Sequence, residues 1–403
     1  MARATAADQD HRQPARNRDS RPIVAGIVTA LVGFTSSFAV VLAGLRAVGA
    51  SPDQAASGLL AVTLCVGLGV LLLAFRSKVP VTLAWSTPGA ALLATSGAVD
   101  GGWPAAVGAF LVAGVLIAMT GLVPALGRLM TRIPTALAQA MLAGVLLQLC
   151  LAPFQALGSV PLFVAPVIVC WLVMTKFAPR WSVPAALVVA LAVIGYSLAS
   201  SGTTLDGALL PTLVWTPPTF TLQALAGIAL PLFVVTMASQ NVPGVAVLRS
   251  FGYETPWRPS MLVTGAGTML GAPFGGHAIN LAALSAALAA GEEAGSNRDR
   301  RWVAAFTSGF AYLVLAAFST ALVTLVSAAP AGMLEAVAGL ALLGTLASAI
   351  SSALADPSDR IAPAITFLLA ASGLAFAGIG SAFWALLAGL AVRALLSPRK
   401  VRG

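Results

Sequence analysis

The chain has 403 residues, 59% of them hydrophobic and 9% charged, with 39 glycines and 25 prolines. A soluble domain carries about 25% charged residues, so composition excludes one and indicates a polytopic membrane protein. The net charge of +9 raises nucleic acid as a partner, but the basic residues follow a membrane topology, and that partner is excluded.

Residues 1–21 hold Arg3, Arg12, Arg16, Arg18 and Arg21 among polar residues and read as a disordered cytoplasmic tail. The apolar run that follows is too long for the apolar region of a signal peptide and is expected to remain as the first span. Apolar segments then fall at 23–45, 57–75, 81–97, 103–123, 133–151, 161–177 and 182–200. Residues 201–220, rich in Thr, Pro and Trp, read as a periplasmic linker. A second set falls at 221–248, 259–272, 274–290, 302–327, 333–352, 361–377 and 380–396, and 398–403 is a short cytoplasmic tail. The fold class read from this pattern is an all-α polytopic membrane protein of fourteen transmembrane segments, seven within 22–200 and seven within 221–397.

Basic residues gather on the cytoplasmic side of membrane proteins. With both termini in the cytoplasm, every Lys and Arg except Arg46 falls on that side. If 81–97 and 274–290 did not cross, Arg128, Arg132, Lys176, Arg180, Arg249 and Arg258 would move outside, so fourteen crossings are favoured over twelve. An odd number of spans in each half gives the halves opposite orientation, the inverted repeat of secondary transporters.

The third segment of each half is irregular. Val81–Trp85 favours an extended strand, Ser86 and Thr87 are good N-caps, and Pro88 suits a first helical turn. In the second half, Pro273, Gly275 and Gly276 resist helix around His277. Asn280 then reads as the N-cap of a half-helix running to Ala290. At about 1.5 Å per residue such a helix covers about 16 Å, half of a hydrocarbon core about 30 Å thick. Two half-helices facing each other near mid-membrane would aim free N–H groups and positive dipole ends at one point, which suits an anion.

Ionisable groups are scarce in the apolar segments. Among acids and histidines, His277 and Glu335 are the two found there, and histidine exchanges protons near neutrality. Span eight carries S-Q-N-V-P-G-V, in which Gln240 and Asn241 are buried amides that need partners. Span one carries G-F-T-S-S-F, with Ser36 and Ser37 as site hydroxyls and Phe34 and Phe38 as ring contacts or packing. Trp85 lies deep enough to line a pocket, while Trp103, Trp181, Trp215, Trp257 and Trp302 read as an interfacial belt. Cys65, Cys150 and Cys170 lie in apolar spans without metal or disulfide spacing and read as packing residues. No phosphate-cradling G-x-x-x-x-G-K-[ST] loop occurs. No nucleophilic or metal cluster stands out either, so no cofactor is expected and an enzyme is disfavoured.

G-F-T-S-S-F, T-L-A-W-S-T-P-G-A-A-L-L, A-S-Q-N-V-P-G-V-A-V-L and P-F-G-G-H-A-I-N-L-A-A together, in this order and spacing, closely resemble the benzoate/proton symporter family, the BenE family, over Arg21–Leu396. That family is similar to uracil/xanthine and sulfate permeases. The resemblance implies a core domain (spans 1–4 and 8–11), a gate domain (spans 5–7 and 12–14), and third and tenth segments built as a short strand plus half-helix with substrate between them. Nucleobase permeases of this fold carry carboxylates in segments eight and ten; here Gln240, Asn241 and His277 stand there, which suits a carboxylate substrate and leaves His277 as the proton carrier.

The expected function is uptake of benzoate, or a close aromatic carboxylate, with a proton across a bacterial inner membrane. Its substrate site would comprise Ser36, Ser37, Trp85, Ser86, Thr87, Pro88, Gln240, Asn241, Gly276, His277 and Asn280, with His277 and Glu335 in proton coupling. The bilayer is a partner, and the reading is compatible with a homodimer. The rivals are a nucleobase or inorganic-anion transporter of the same fold and, in another class, a passive channel or intramembrane enzyme.

Overall fold

The computed structural model describes residues 20–123, 125–126, 134–201, 209–283, 285–330, 332–374, 376 and 379–396. Most of the N-terminal tail, the C-terminal tail, Arg128 and Arg132 lie outside the described residues. The helices are α1 (Arg21–Thr35), α2 (Phe38–Ala47), α3 (Pro52–Ser77), α4 (Thr87–Ser96), α5 (Gly102–Leu122), α6 (Thr135–Ser159), α7 (Pro161–Phe177), α8 (Ser182–Ser201), α9 (Leu222–Ser250), α10 (Trp257–Gly271), α11 (Ala286–Ala290), α12 (Trp302–Ser327), α13 (Met333–Ala353), α14 (Ile361–Ala371) and α15 (Ser381–Leu396). Two short strands, β1 (Leu83–Trp85) and β2 (Ile279–Leu281), complete the fold. Among the described residues, eight helical stretches are long and apolar enough to cross a membrane, the α1–α2 stretch Arg21–Ala47 being one of them.

Local chemistry explains the boundaries. Ser51 and Gln54 form a reciprocal capping box at the start of α3. The break between α1 and α2 falls at Ser36 and Ser37, whose hydroxyls both turn back to the carbonyl of Gly33, at 3.1 and 3.2 Å. Such back-bonding competes with the helical ladder and bends it. Helix α9 is continuous but contains two wide π turns, at Leu225–Ala229 and Met237–Asn241. Turns of this kind concentrate at functional sites.

The helices pack in two groups. In one, α12 lies on α1 and α3, α10 on α3 and α5, and α4 on α2, with α9 against α4 and α5. In the other, α6 packs on α13 and α14, α14 on α15, and α7 on α8. Lipid offers no hydrophobic drive for such association, so close van der Waals approach over small residues must supply it. Gly58 on α3 shows how close: a Cβ there would lie 2.5 Å from the carbonyl oxygen of Gly275, which itself holds a left-handed φ of +89°.

β1 and β2 pair antiparallel, with Leu83 opposite Leu281, Ala84 opposite Asn280 and Trp85 opposite Ile279. Flanking bonds extend the ladder, Ser86 N–H to the Ala278 carbonyl at 2.8 Å and Ala282 N–H to the Thr82 carbonyl at 3.0 Å. This is the joint between the two halves of the chain. It corrects the expected role of Asn280, which is the central residue of β2 and caps no helix. The second half-helix, α11, starts after Ser285 and has five residues. The strand extends through Asn280 because pairing with the backbone of β1 overrides the local appearance of a helix cap.

The linker also has a defined course. Val214 N–H donates to Ser57 Oγ at 2.8 Å, and Thr216 N–H donates to the Pro273 carbonyl at 2.7 Å. Ser57 in turn donates to the Phe274 carbonyl at 2.8 Å, so residues 214–216 strap the loop before His277 onto α3. Trp103, expected in an interfacial belt at a span end, packs inside the protein. It is buried, and its indole N–H donates to Thr216 Oγ1 at 3.1 Å. The strap gives that indole a partner inside the protein.

Candidate functional site between the crossed strands

The strand pair delivers two backbone ends to the same place. After β1, Ser86 caps α4, accepting from Gly89 N–H at 3.1 Å, and Pro88 fills the first turn. Thr236, one residue before the second π turn of α9, hydrogen-bonds Ser86 through the two hydroxyls at 2.7 Å. Before β2, His277 Nε2 lies 3.2 Å from the Ser86 carbonyl oxygen. A carbonyl only accepts, so Nε2 carries the hydrogen and donates, which leaves Nδ1 with an open lone pair. His277 is 1% exposed, and Nδ1 has no partner among the described residues. A fully buried acceptor without a donor is costly unless something supplies one.

An aromatic wall stands beside these groups. Trp85 contacts Phe34 edge-on at 5.4 Å between ring centroids and Tyr312 edge-on at 6.2 Å, and Phe34 stacks on Phe38 at 5.9 Å. The Trp85 indole N–H donates to Ser37 Oγ at 2.8 Å, which fixes its plane. Each such ring pair contributes roughly 0.5–1.5 kcal/mol beyond burial. A small apolar cavity adjoins Phe38, bounded by Leu187 and Ile194 of α8 and by Met333 and Val337 of α13. The wall thus borders the seam between the two helix groups. Among the described residues no Asp or Glu is buried, so the site has no negative side chain to repel an anion.

The expected site residues sort into three sets. Trp85, Ser86, Pro88, Gly276 and His277 are buried around the strand pair, with Ser37 bonded to Trp85 and Thr87 half-buried in the first turn of α4. Ser36 turns back on its own helix. Asn241 and Asn280 serve the backbone. Asn241 Oδ1 accepts from Leu281 N–H at 2.8 Å, while its Nδ2 lies 3.1 Å from Met237 Sδ. Asn280 Nδ2 donates to the Leu281 carbonyl at 2.7 Å, leaving Oδ1 buried without a partner among the described residues. Gln240 is half-buried on the same π turn. Glu335 stands apart, exposed in the first turn of α13. Thr236, Ser285 and Tyr312 belong to this neighbourhood and went unread in the sequence; each lies in an apolar run with no local mark to single it out.

The electrostatics of the site rest on α4. A helix of ten residues presents about half a positive charge at its N-terminus, worth up to about 2 kcal/mol to a partly buried anion. The five residues of α11 add little to that, so the symmetric pair of helix ends expected from the sequence is lopsided.

Residues 17–395 match the family model described as benzoate membrane transport protein, BenE. The chain is 37% identical over 368 residues to the inner membrane protein YdcO of Escherichia coli, covering 91% of this chain and 93% of that one. It is 31% identical over 383 residues to the benzoate membrane transport protein of Acinetobacter baylyi, covering 93% and 95%. Among solved structures, its fold is similar to the transmembrane domain of the cyanobacterial bicarbonate transporter BicA, with a TM-score of 0.63 at 16% identity over 92% of this chain and 97% of that one. It is similar also to the murine anion transporter Slc26a9 in its inward-facing state, with a TM-score of 0.59 at 14% identity over 94% and 68%. Likeness at that identity concerns the fold alone. The family match spans nearly the whole chain and carries every residue of the strand-pair site with it: this membrane protein belongs to the BenE family, whose members are transporters and not enzymes.

Proposed function

We propose that the chain imports benzoate, or a close aromatic carboxylate, together with a proton across the cytoplasmic membrane. The observation that carries this reading is the unpartnered Nδ1 of His277 beside the capped end of α4 and the Phe34–Trp85–Tyr312 wall. Nδ1 is an acceptor and so is every oxygen of a carboxylate. Two acceptors meet favourably only with a hydrogen between them, so an anion seated at Nδ1 brings one proton with it. Moving one anion inward against 100 mV, inside negative, costs about 2.3 kcal/mol, and a co-transported proton cancels that charge.

In this reading the fourteen apolar segments form two inverted sevens with both termini cytoplasmic. The group containing α1–α5 and α9–α12 is the moving core, and the group containing α6–α8 and α13–α15 is the gate. Trp85 and Phe34 hold the ring. Ser86, Thr87, Pro88 and Gly276 shape the anion end, Ser37 sets the indole plane, and Gln240 lines the π-turn side. The amides of Asn241 and Asn280 hold the strand that the site is built on. His277 carries the proton; Glu335, exposed at the mouth of α13, is a secondary proton entry point. A homodimer is compatible with this arrangement, the substrate path lying within one chain.

The test is uptake of labelled benzoate into proteoliposomes with and without an imposed inward proton gradient. Accumulation that depends on the gradient is expected; uptake indifferent to the gradient refutes symport. Unlabelled bicarbonate serves as the competitor: if it displaces benzoate while ring-substituted benzoates do not, the inorganic-anion alternative replaces this one.

A further inference from the structure

The structure assigns to Tyr312 the role of hydrogen-bond donor to the substrate carboxylate, with Gly33 as the residue that makes room for it. This deepens the proposed benzoate site and rests on that reading.

Tyr312 lies on α12 and is 1% exposed. Its ring closes the aromatic wall against Trp85, yet its hydroxyl makes no hydrogen bond among the described residues. Buried tyrosine hydroxyls ordinarily find a partner, because an unsatisfied one forfeits its hydration. The hydroxyl is held where it is by a missing side chain. A Cβ on Gly33 would run into the Tyr312 oxygen, inside any permitted contact, whereas the nearest ring carbon would lie at an ordinary 3.5 Å. The same point is 3.9 Å from Ser285 Oγ, so the phenol oxygen rests at the α1 break, between the end of α1 and the residue that precedes α11.

Four other donors nearby are committed. Trp85 N–H is spent on Ser37, the Ser37 and Ser36 hydroxyls on the Gly33 carbonyl, and His277 Nε2 on Ser86. The Tyr312 hydroxyl is a donor left over whose oxygen, unlike His277 Nδ1, is not wholly enclosed, set in the ring wall that an aromatic acid would face. One carboxylate oxygen would take the proton at His277 Nδ1 and the other the Tyr312 hydroxyl, which orients the ring along the wall.

The experiment measures initial rates of benzoate uptake by the full chain in proteoliposomes for the wild type, Tyr312→Phe, Gly33→Ala and the double variant. Tyr312→Phe keeps the ring and its contact with Trp85. It is expected to raise KM roughly tenfold or more, the effect of losing a hydrogen bond to a charged group, while the maximal rate is retained. Gly33→Ala is expected to abolish uptake, because the added Cβ meets the Tyr312 oxygen and drives the whole side chain out of the wall. The double variant, with no oxygen to clash, is expected to return to the Tyr312→Phe level. An unchanged KM in Tyr312→Phe overturns the assignment, since a purely structural ring is intact in that variant. A double variant as inactive as Gly33→Ala overturns the role of Gly33. Absence of saturable benzoate uptake by the wild type overturns the underlying reading instead.

Discussion

In an antiparallel pair, alternate N–H groups point away from the partner strand. On β2 these are Ile279 and Leu281, and both are buried away from water that could receive them. Thr268 Oγ1 on α10 accepts from Ile279 at 3.0 Å and Asn241 Oδ1 on α9 accepts from Leu281 at 2.8 Å. Two side chains from two helices therefore cover an open sheet edge. Asn241→Ala or Thr268→Val leaves one N–H orphaned. Orphaning a buried donor costs about 1–3 kcal/mol in proteins, while interhelical bonds in membranes reach a maximum of about 1.7, so about 1–2 kcal/mol is expected at each site. That corresponds to roughly 5-fold to 30-fold faster local opening, read as hydrogen exchange of a peptide spanning residues 277–283. The double variant should exceed either single one, because both bonds hold the same strand. Peptides from α3 should exchange as in the wild type. Unchanged exchange in both single variants would refute the edge-covering role. So would a loss of benzoate affinity in Asn241→Ala without faster exchange, which would return Asn241 to direct contact with substrate.

Other consequences are simpler to read. His277→Ala should abolish gradient-driven accumulation of benzoate, and wild-type accumulation in that variant would remove the imidazole from the coupling step. Ser86→Ala removes the cap of α4 and the hydroxyl bonded to Thr236; a lost cap costs about 1 kcal/mol, so benzoate binding should weaken roughly fivefold in a scintillation proximity assay, and Ser86→Thr should restore most of it. Arg180 and Glu293 form an ion pair at 2.8 Å with both side chains about half exposed. A double-mutant cycle on thermal unfolding should give less than about 1 kcal/mol for it, falling further with added salt.

What could be read from the chain beforehand follows the range of the forces involved. Ser86 and Pro88 announce a helix start because capping is decided within four residues. Val81–Trp85 reads as extended from its own side chains, and β1 falls inside it. Asn280 misleads for the opposite reason. An Asn after a Gly-rich break and before an apolar run has the local appearance of a cap, but its conformation is set by pairing with Ala84. Nothing near Trp103 announces its burial, since its partner Thr216 lies 113 residues away. Arg301 is marked in the sequence only as one of the basic residues of the cytoplasmic side, yet its guanidinium is buried against the carbonyls of Ala290 and Gly295 at 2.7 and 2.8 Å, closing the end of α11. Tyr312 is invisible in F-A-Y-L-V because its significance lies in the absent Cβ of Gly33. The π turns of α9 likewise answer to packing rather than to composition.

The strand pair also dictates how the protein is made. Ser86 and His277 are 191 residues apart. At about 5–20 residues per second the ribosome needs roughly 10–40 s to deliver the second after the first. Through that interval β1 has polar backbone and no partner strand, in a chain whose neighbouring helices are entering a membrane. The first half cannot close its own centre, so Val81–Ser96 must wait in a wet or shielded place until β2 emerges. A stalled or truncated chain would expose that segment to the quality-control machinery of the membrane, and the two halves, synthesised separately, would each carry one side of a joint that only the other can complete.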